Sequence, residues 1–151
     1  MYQHNPAGKG KSIVIDRLAE DFIFVTDEVL LRRVIGNLVK NALEASGVHD
    51  AITLNCVRKN QGLEFSIHNN AVIPNEVQLQ IFKQSFSTKG VGRGLGTYSV
   101  KLLTEQYLKG AVSFNSNQRI GTVFSIIVPE NINQNDHQKK GKILTFSSGP
   151  L

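Results

Sequence analysis

One long amphipathic helix sets the strongest limit on what this chain can become. Thr26 and Asp27 offer an N-cap and Gly47 a stop, which brackets a helix over roughly residues 28–46. Its apolar stripe of Leu31, Val34, Ile35, Leu38, Ala42 and Ala45 has to be buried against another layer. Asn37, Asn41 and Glu44 fall at i, i+4 and i+7, within about 60° of one another on a helical wheel. That triplet lies roughly 100° from the centre of the stripe, while Arg32, Arg33 and Lys40 fill the far side. It therefore sits on the seam between core and solvent, where a cleft floor would be. Burying a carboxamide costs free energy unless something polar lies against it. Taken alone, the helix leaves two readings open: solvated or helix-bonded asparagines, or ligands.

Shorter elements flank the helix. Ile13 to Ile15 and Phe22 to Val25 are β-branched or apolar runs that read as strands. Ile52 to Arg58 and Leu63 to Asn69 alternate apolar and polar residues around Asn60-Gln61-Gly62, a hairpin signal. Next come the turn formers of HNNAVIPNE, then a short helix ending near Ile81 and Phe82. Ser85 to Arg93 reads as a mobile loop broken by Gly90 and Gly92. A second amphipathic helix starts at Gly94 or Leu95 and runs to about Leu108, where Gly110 stops it. Ala111 to Asn115 and Thr122 to Val128 are the last strands, with a turn at Asn117 to Gly121. The order β-β-α-β-β-α-α-β-β predicts an α+β, two-layer sandwich rather than a doubly wound sheet. Residues 1–12 read as a flexible leader, 13–129 as the folded domain, and 130–151 as a disordered tail without periodicity.

Composition narrows the function classes. At 151 residues the chain is one domain by length, with ordinary soluble-globular composition at 40% hydrophobic and 19% charged. No apolar run approaches the roughly 18 residues a bilayer span requires, and no signal-peptide pattern opens the chain. A cytoplasmic domain without membrane contact is the expectation. A single cysteine, Cys56, excludes an internal disulfide framework and reads as a buried structural thiol. The net charge of +5 suits an anionic ligand, but the basic residues are spread out and only 7% of residues are aromatic. Nucleic-acid binding is therefore not expected. Gly10-Lys11-Ser12 imitates the tail of a phosphate-binding Walker loop, yet Asn5 stands where the first glycine belongs and no strand precedes it.

Gly92-Arg93-Gly94-Leu95-Gly96 directly precedes a helix. Alternate glycines let backbone amides approach a ligand with no Cβ in the way, and a helix N-terminus adds unpaired N–H groups. Phosphate is the natural guest, with Ser87, Thr88, Lys89 and Arg93 as further donors. A lone glycine cluster is also compatible with a plain helix–helix linker. Coupled to the Asn37/Asn41 face the phosphate reading gains, because oxygen donors beside phosphates are how Mg²⁺ is commonly held.

Four segments in order then resemble one family. NLVKNALEAS resembles the N-box of the GHKL ATPase superfamily in its sensor histidine kinase branch. HNNAVIP stands at the first glycine box, IFKQSFSTK resembles the phenylalanine box, and GVGRGLGTYSVKLL resembles the second glycine box. GTVFSIIVP resembles the strand that ends the fold, so the likeness covers roughly residues 12–129. It implies a Bergerat-type ATP site in which a mixed, mainly antiparallel sheet packs on helices and the nucleotide lies under a mobile lid.

Carried over by position, the resemblance implies that Asn41 coordinates Mg²⁺ and Asn37 helps hold the phosphates. Lys89 and Arg93 would meet the phosphates from the lid, with Thr88 and Leu95 beside them. Gly92, Gly94 and Gly96 would cradle the phosphates, and Thr122 would line the adenine pocket. Asn37, Asn41 and Lys89 are the catalytic candidates. Asn37 stands where hydrolytic relatives carry a glutamate; an amide cannot act as a general base, so phosphoryl transfer is favoured over hydrolysis. Phe82 and Phe86 are expected to hinge and pack the lid, and Glu44 to be solvated.

The first glycine box departs from the family. The usual D-x-G-x-G, whose aspartate accepts from the adenine amino group, lacks here both the aspartate and the glycines. Strand phase selects the replacement: Leu63, Phe65 and Ile67 point one way, and the next in phase is Asn69, not His68. Asn69 can accept through its carbonyl oxygen and donate its amide to a ring nitrogen. Replacing a charge-assisted bond by a neutral one costs about 1 kcal/mol, so Asn69→Ala should weaken ATP binding and Asn69→Asp should strengthen it.

The function implied is the catalytic domain of a two-component sensor histidine kinase. It would bind Mg·ATP and transfer the γ-phosphoryl group to a histidine on a dimerisation domain outside this chain. None of His4, His49, His68 or His137 has the acidic helical context of an acceptor. A downstream response regulator would be the second partner. The competing reading is a degenerate nucleotide-binding or interaction module without turnover, motivated by the altered first glycine box. A third, a hydrolytic ATPase, is disfavoured by Asn37.

Overall fold

The computed structural model describes residues 10–60, 62–83, 95–131 and 142–147. Strand β1 (Ser12–Ile15) pairs parallel with β3 (Ala51–Lys59), and β2 (Phe22–Thr26) and helix α1 (Glu28–Ala45) form the crossover between them. From β3 the sheet continues antiparallel through β4 (Gly62–Asn69), β6 (Gly121–Val128) and β5 (Ala111–Asn117), in the order β1-β3-β4-β6-β5. The short helix α2 (Asn75–Gln78) and helix α3 (Leu95–Leu102) lie between β4 and β5. The α+β sandwich with a mixed, mainly antiparallel sheet is thus the architecture observed.

Local chemistry explains the boundaries of α1. The carboxylate of Asp27 accepts from the Leu30 N–H at 3.1 Å, satisfying one of the unpaired amides of the first turn. At the other end Ser46 turns its hydroxyl back onto the Ala42 carbonyl at 2.6 Å. The helix buries Leu31, Val34, Leu38, Val39, Ala42 and Leu43. The arc is wider than the predicted stripe and rotated from it: Val39 and Leu43 are inside, Ala45 is exposed, and Ile35 lies at the margin. Alternate residues of the sheet face it, among them Ile52 and Cys56 on β3, Leu63, Phe65 and Ile67 on β4, and Phe124, Ile126 and Val128 on β6.

Two differences from the sequence reading stand out. The second helix does not continue as a regular α-helix to Leu108. Leu103–Tyr107 form a widened π-helical turn, closed by the Leu108 N–H on the Leu103 carbonyl at 2.9 Å. The turn keeps Val100, Thr104 and Leu108, spaced four apart, fully buried in the core. The second difference concerns the tail, expected to be disordered throughout 130–151. Lys142–Phe146 form a strand, β7, antiparallel to β2. The reason is aromatic: Phe146 meets Phe65 edge-on at 5.8 Å, and Phe65 in turn meets Phe24 at 5.9 Å. The ribbon β2-β7 thereby covers one end of the core.

Candidate functional site

The polar flank of α1 lies where the wheel predicts. Asn37 and Asn41 are half-buried on the margin of the core-facing arc, next to the fully buried Val34, while Glu44 is exposed. The first turn of α3 comes up against this flank. A Cβ built on Gly96 would lie 3.7 Å from Nδ2 and 3.8 Å from Oδ1 of Asn41. The asparagine helix and the glycine-box helix therefore converge side by side. Any residue larger than glycine at 96 would begin to fill the space in front of the Asn41 carboxamide.

Thr88, Lys89, Gly92, Arg93 and Gly94 lie outside the described residues, as do Ser87 and Phe86. Leu95 is placed as the first backbone residue of α3. Behind it, the hydroxyl of Thr97 donates to the carbonyl of Ile81, tying α3 to the segment that follows α2. Phe82 in that segment packs edge-on against Phe114 and Phe124 at 5.6 and 6.2 Å, so it is anchored on the sheet.

Strand phase on β4 is as read from the sequence. Leu63, Phe65, Ile67 and Asn69 alternate as buried residues, and Asn69 is only 4% exposed. Its Nδ2 donates to the Ala42 carbonyl at 3.3 Å, which fixes the orientation of the amide and leaves Oδ1 as the acceptor end. Out of phase, His68 is half-buried and its Nε2 donates to the Ile120 carbonyl at 2.6 Å. Across the ladder Asn69 is paired with Thr122. The Thr122 hydroxyl donates to the Ala71 carbonyl at 2.7 Å and accepts from Ser116 at 2.7 Å. Asn69, Thr122, Asn41 and Gly96 are thus gathered around one end of α1, with Asn69 held by the residue that directly follows Asn41.

Three residues near this site were not among the sequence candidates. Gly121 has φ +76°, and a Cβ there would fall 2.3 Å from the Asn69 carbonyl oxygen. Its place at the turn before Thr122 is a readable signal for a left-handed glycine. Ser116 holds the loop after β4 at Ile73, 43 residues away in the chain, and Gln78 joins that same residue to Ser116, 38 residues further on. No local pattern announces such contacts.

Among the described residues, no cluster of three or more His, Cys, Asp or Glu side chains could hold a metal ion alone. Mg²⁺ needs no such cluster, since that ion is usually held by one or two side-chain oxygens, most often of carboxylates, together with substrate phosphates. The carboxamide oxygen of Asn41, beside the first turn of α3, is a donor of that kind. The one thiol takes no part: burial first, and then the nearby Glu20 carboxylate, push Cys56 up to about 12.

Comparison with known proteins gives a consistent picture. A family model described as histidine kinase-, DNA gyrase B-, and HSP90-like ATPase matches residues 26–132. The sensor histidine kinase ZraS of Escherichia coli strain K12 is 32% identical over 109 residues, covering 72% of this chain and 23% of that protein. The adaptive-response sensory kinase SasA of Synechocystis is 32% identical over 138 residues, covering 85% of this chain and 35% of the relative. The chain thus spans between a fifth and about a third of the length of these relatives. Among solved structures, the nucleotide-free catalytic domain of histidine kinase ThkA superposes with a TM-score of 0.64 at 27% identity, over 80% of this chain and 78% of that one.

Proposed function

Because the chain belongs to the histidine kinase-, DNA gyrase B- and HSP90-like ATPase family, we propose that it is the Mg·ATP-binding catalytic domain of a sensor histidine kinase. Its product would be a phosphohistidine on a dimerisation domain outside residues 1–151, from which a response regulator would take the phosphoryl group. The domain would work in the cytoplasm. Among the described residues no helix is long and apolar enough to cross a membrane.

One observation carries this reading: the Asn41 carboxamide lies against Gly96 at the start of α3. Two elements whose sequences each suit phosphate or its metal face the same space. Asn41 would present its carboxamide oxygen to Mg²⁺, and Asn37, one turn earlier, would steady the phosphates. Lys89 and Arg93 would neutralise charge from the lid, with Thr88, Gly92, Gly94, Leu95 and Gly96 around the phosphates. Asn69 Oδ1 would accept from the adenine amino group, and Thr122 would line that pocket. Mg²⁺, when bound, would draw charge from the phosphate oxygens as transfer proceeds. The protein's part is then positioning and charge neutralisation, as in phosphoryl transfer generally. An amide at Asn37 supplies no base for water, so ATP hydrolysis is not the expected outcome.

The test has two stages. Titration of the domain with ATP and with GTP, each with and without Mg²⁺, should give Mg²⁺-dependent binding that prefers ATP. A supplied cognate dimerisation domain should then become phosphorylated on histidine. Binding without transfer would favour the degenerate module, and steady ATP turnover by the domain alone would favour a hydrolase.

A further inference from the structure

The loop from Asn70 to Pro74 joins β4 to α2 where the family's glycines are missing, and three side chains from three different elements hold it. Thr122 on β6 donates to the Ala71 carbonyl at 2.7 Å. Ser116 on β5 accepts from the Ile73 N–H at 2.8 Å. Gln78, the last residue of α2, donates through Nε2 to the Ile73 carbonyl at 2.8 Å and to the Ser116 carbonyl at 3.2 Å. Since Thr122 spends its proton on Ala71, the 2.7 Å contact between Ser116 and Thr122 runs from the serine hydroxyl to the threonine oxygen. The directions are therefore all determined: Ile73 to Ser116 to Thr122 to Ala71, with Gln78 closing the loop onto β5.

Gln78 also sits at a junction. Ile81, three residues on, accepts from Thr97 of α3, and Gly96 beside Thr97 adjoins Asn41. On the other side its partners Ile73 and Ser116 lead through Thr122 to Asn69.

We infer that Gln78, with Ser116, is a positioning residue for the adenine end of the nucleotide site. In this inference, which rests on the proposed nucleotide-binding function, side-chain clamps fix the Asn70–Pro74 loop in place of the family's glycines. Gln78 touches no reacting atom; it holds the loop that follows Asn69, and so sets where the adenine acceptor and Thr122 stand.

The experiment compares wild type with Gln78→Leu and Ser116→Ala, each first shown to be folded by its circular dichroism spectrum. ATP and ADP affinities are measured with and without Mg²⁺. Loss of one or two neutral hydrogen bonds should weaken both nucleotides by about tenfold. The ratio of ATP affinities with and without Mg²⁺ should stay at its wild-type value, because the Asn41 end is untouched. A merely structural role would lower the melting midpoint and leave the affinities of the folded variants alone; that result overturns the inference. So does loss of the Mg²⁺ ratio together with affinity, which would mean that the whole site had collapsed. If Gln78→Leu does not fold, Ser116→Ala decides. Failure of wild type itself to bind any adenine nucleotide would instead sink the functional reading beneath.

Discussion

The Nδ2 of Asn69 donates to the backbone carbonyl of Ala42 at 3.3 Å, so the last residue of β4 is tied to the helix that carries Asn37 and Asn41. The same carbonyl accepts the Ser46 hydroxyl at 2.6 Å, which uses both of its lone pairs. This bond changes the outlook for Asn69→Asp. From sequence alone that variant gains a charge-assisted bond to adenine. In the structure its second carboxylate oxygen would face a carbonyl with no proton between them, in a pocket where the side chain is 4% exposed. The expected cost is about 1–3 kcal/mol of stability. Only the protonated carboxyl can donate to Ala42, so the folded state raises its pKa above the unfolded value of about 3.9. Stability is then retained at low pH and lost as pH rises through the folded value. Urea midpoints of variant and wild type should therefore lie closer together at pH 5 than at pH 8. An identical gap at both would show that the carboxylate has found another donor.

Gly121→Ala tests the other support of Asn69. The residue has φ +76°, where an L side chain costs about 1–2 kcal/mol. A Cβ would also fall 2.3 Å from the Asn69 carbonyl oxygen and 2.9 Å from the Asn70 Cα. Both contacts are with backbone, which cannot rotate away, so β4 must shift. A lower melting temperature together with weakened ATP binding is the expected result. Unchanged ATP affinity in the folded variant would mean that Asn69 does not contact the nucleotide.

The helix, the hairpins and the phase of β4 were legible in the sequence because each is a local periodicity. Asp27 followed by an apolar arc defines α1, and the alternation Leu63, Phe65, Ile67 defines which face Asn69 joins. The asparagine flank was legible for the same reason. What the sequence hid are relations between backbone atoms and distant side chains. The carbonyl of Ala42 looks like any helix carbonyl until Asn69 arrives from 27 residues away. Gln78 reads as one more polar residue of a short helix until its two carbonyl partners are placed. The strand at Lys142–Phe146 escaped because its register is set by Phe24 and Phe65, far earlier in the chain. The width of the α1 arc escaped too, since Val39 and Leu43 are covered by elements that a helical wheel does not show.

Cys56 should be chemically silent and should make stability depend on alkaline pH. The residue is fully buried on β3, and its ordinary value of 9.0 is pushed up to about 12, chiefly by burial. The folded state therefore holds the proton that the unfolded state gives up. Its contribution is fully present below pH 9.0 and is lost progressively as pH rises toward about 12. One pH unit inside that window corresponds to about 1.4 kcal/mol from this group. Comparing wild type with Cys56→Val at pH 8 and pH 10 isolates it from the lysines and tyrosines. The variant should lose less stability between the two, and the native thiol should resist alkylation at pH 8. Rapid labelling of the folded protein would contradict the burial.

Asn41→Ala bears on the metal directly. Asn41 is half-buried at the edge of α1, and alanine is the better helix former, so global stability should change by less than about 1 kcal/mol. What the variant removes is the carboxamide oxygen that adjoins Gly96. If that oxygen holds Mg²⁺ against the phosphates, ATP affinity in the presence of Mg²⁺ should fall to the level measured without it. ADP in metal-free buffer should then bind nearly as well as before, because the proposed adenine end at Asn69 and Thr122 is unaltered. Measuring ATP and ADP by calorimetry, with Mg²⁺ and with chelator, reads both effects from one set of titrations. A variant that kept the full Mg²⁺ enhancement would place the metal on other oxygens and leave Asn41 as a residue that merely borders the cleft.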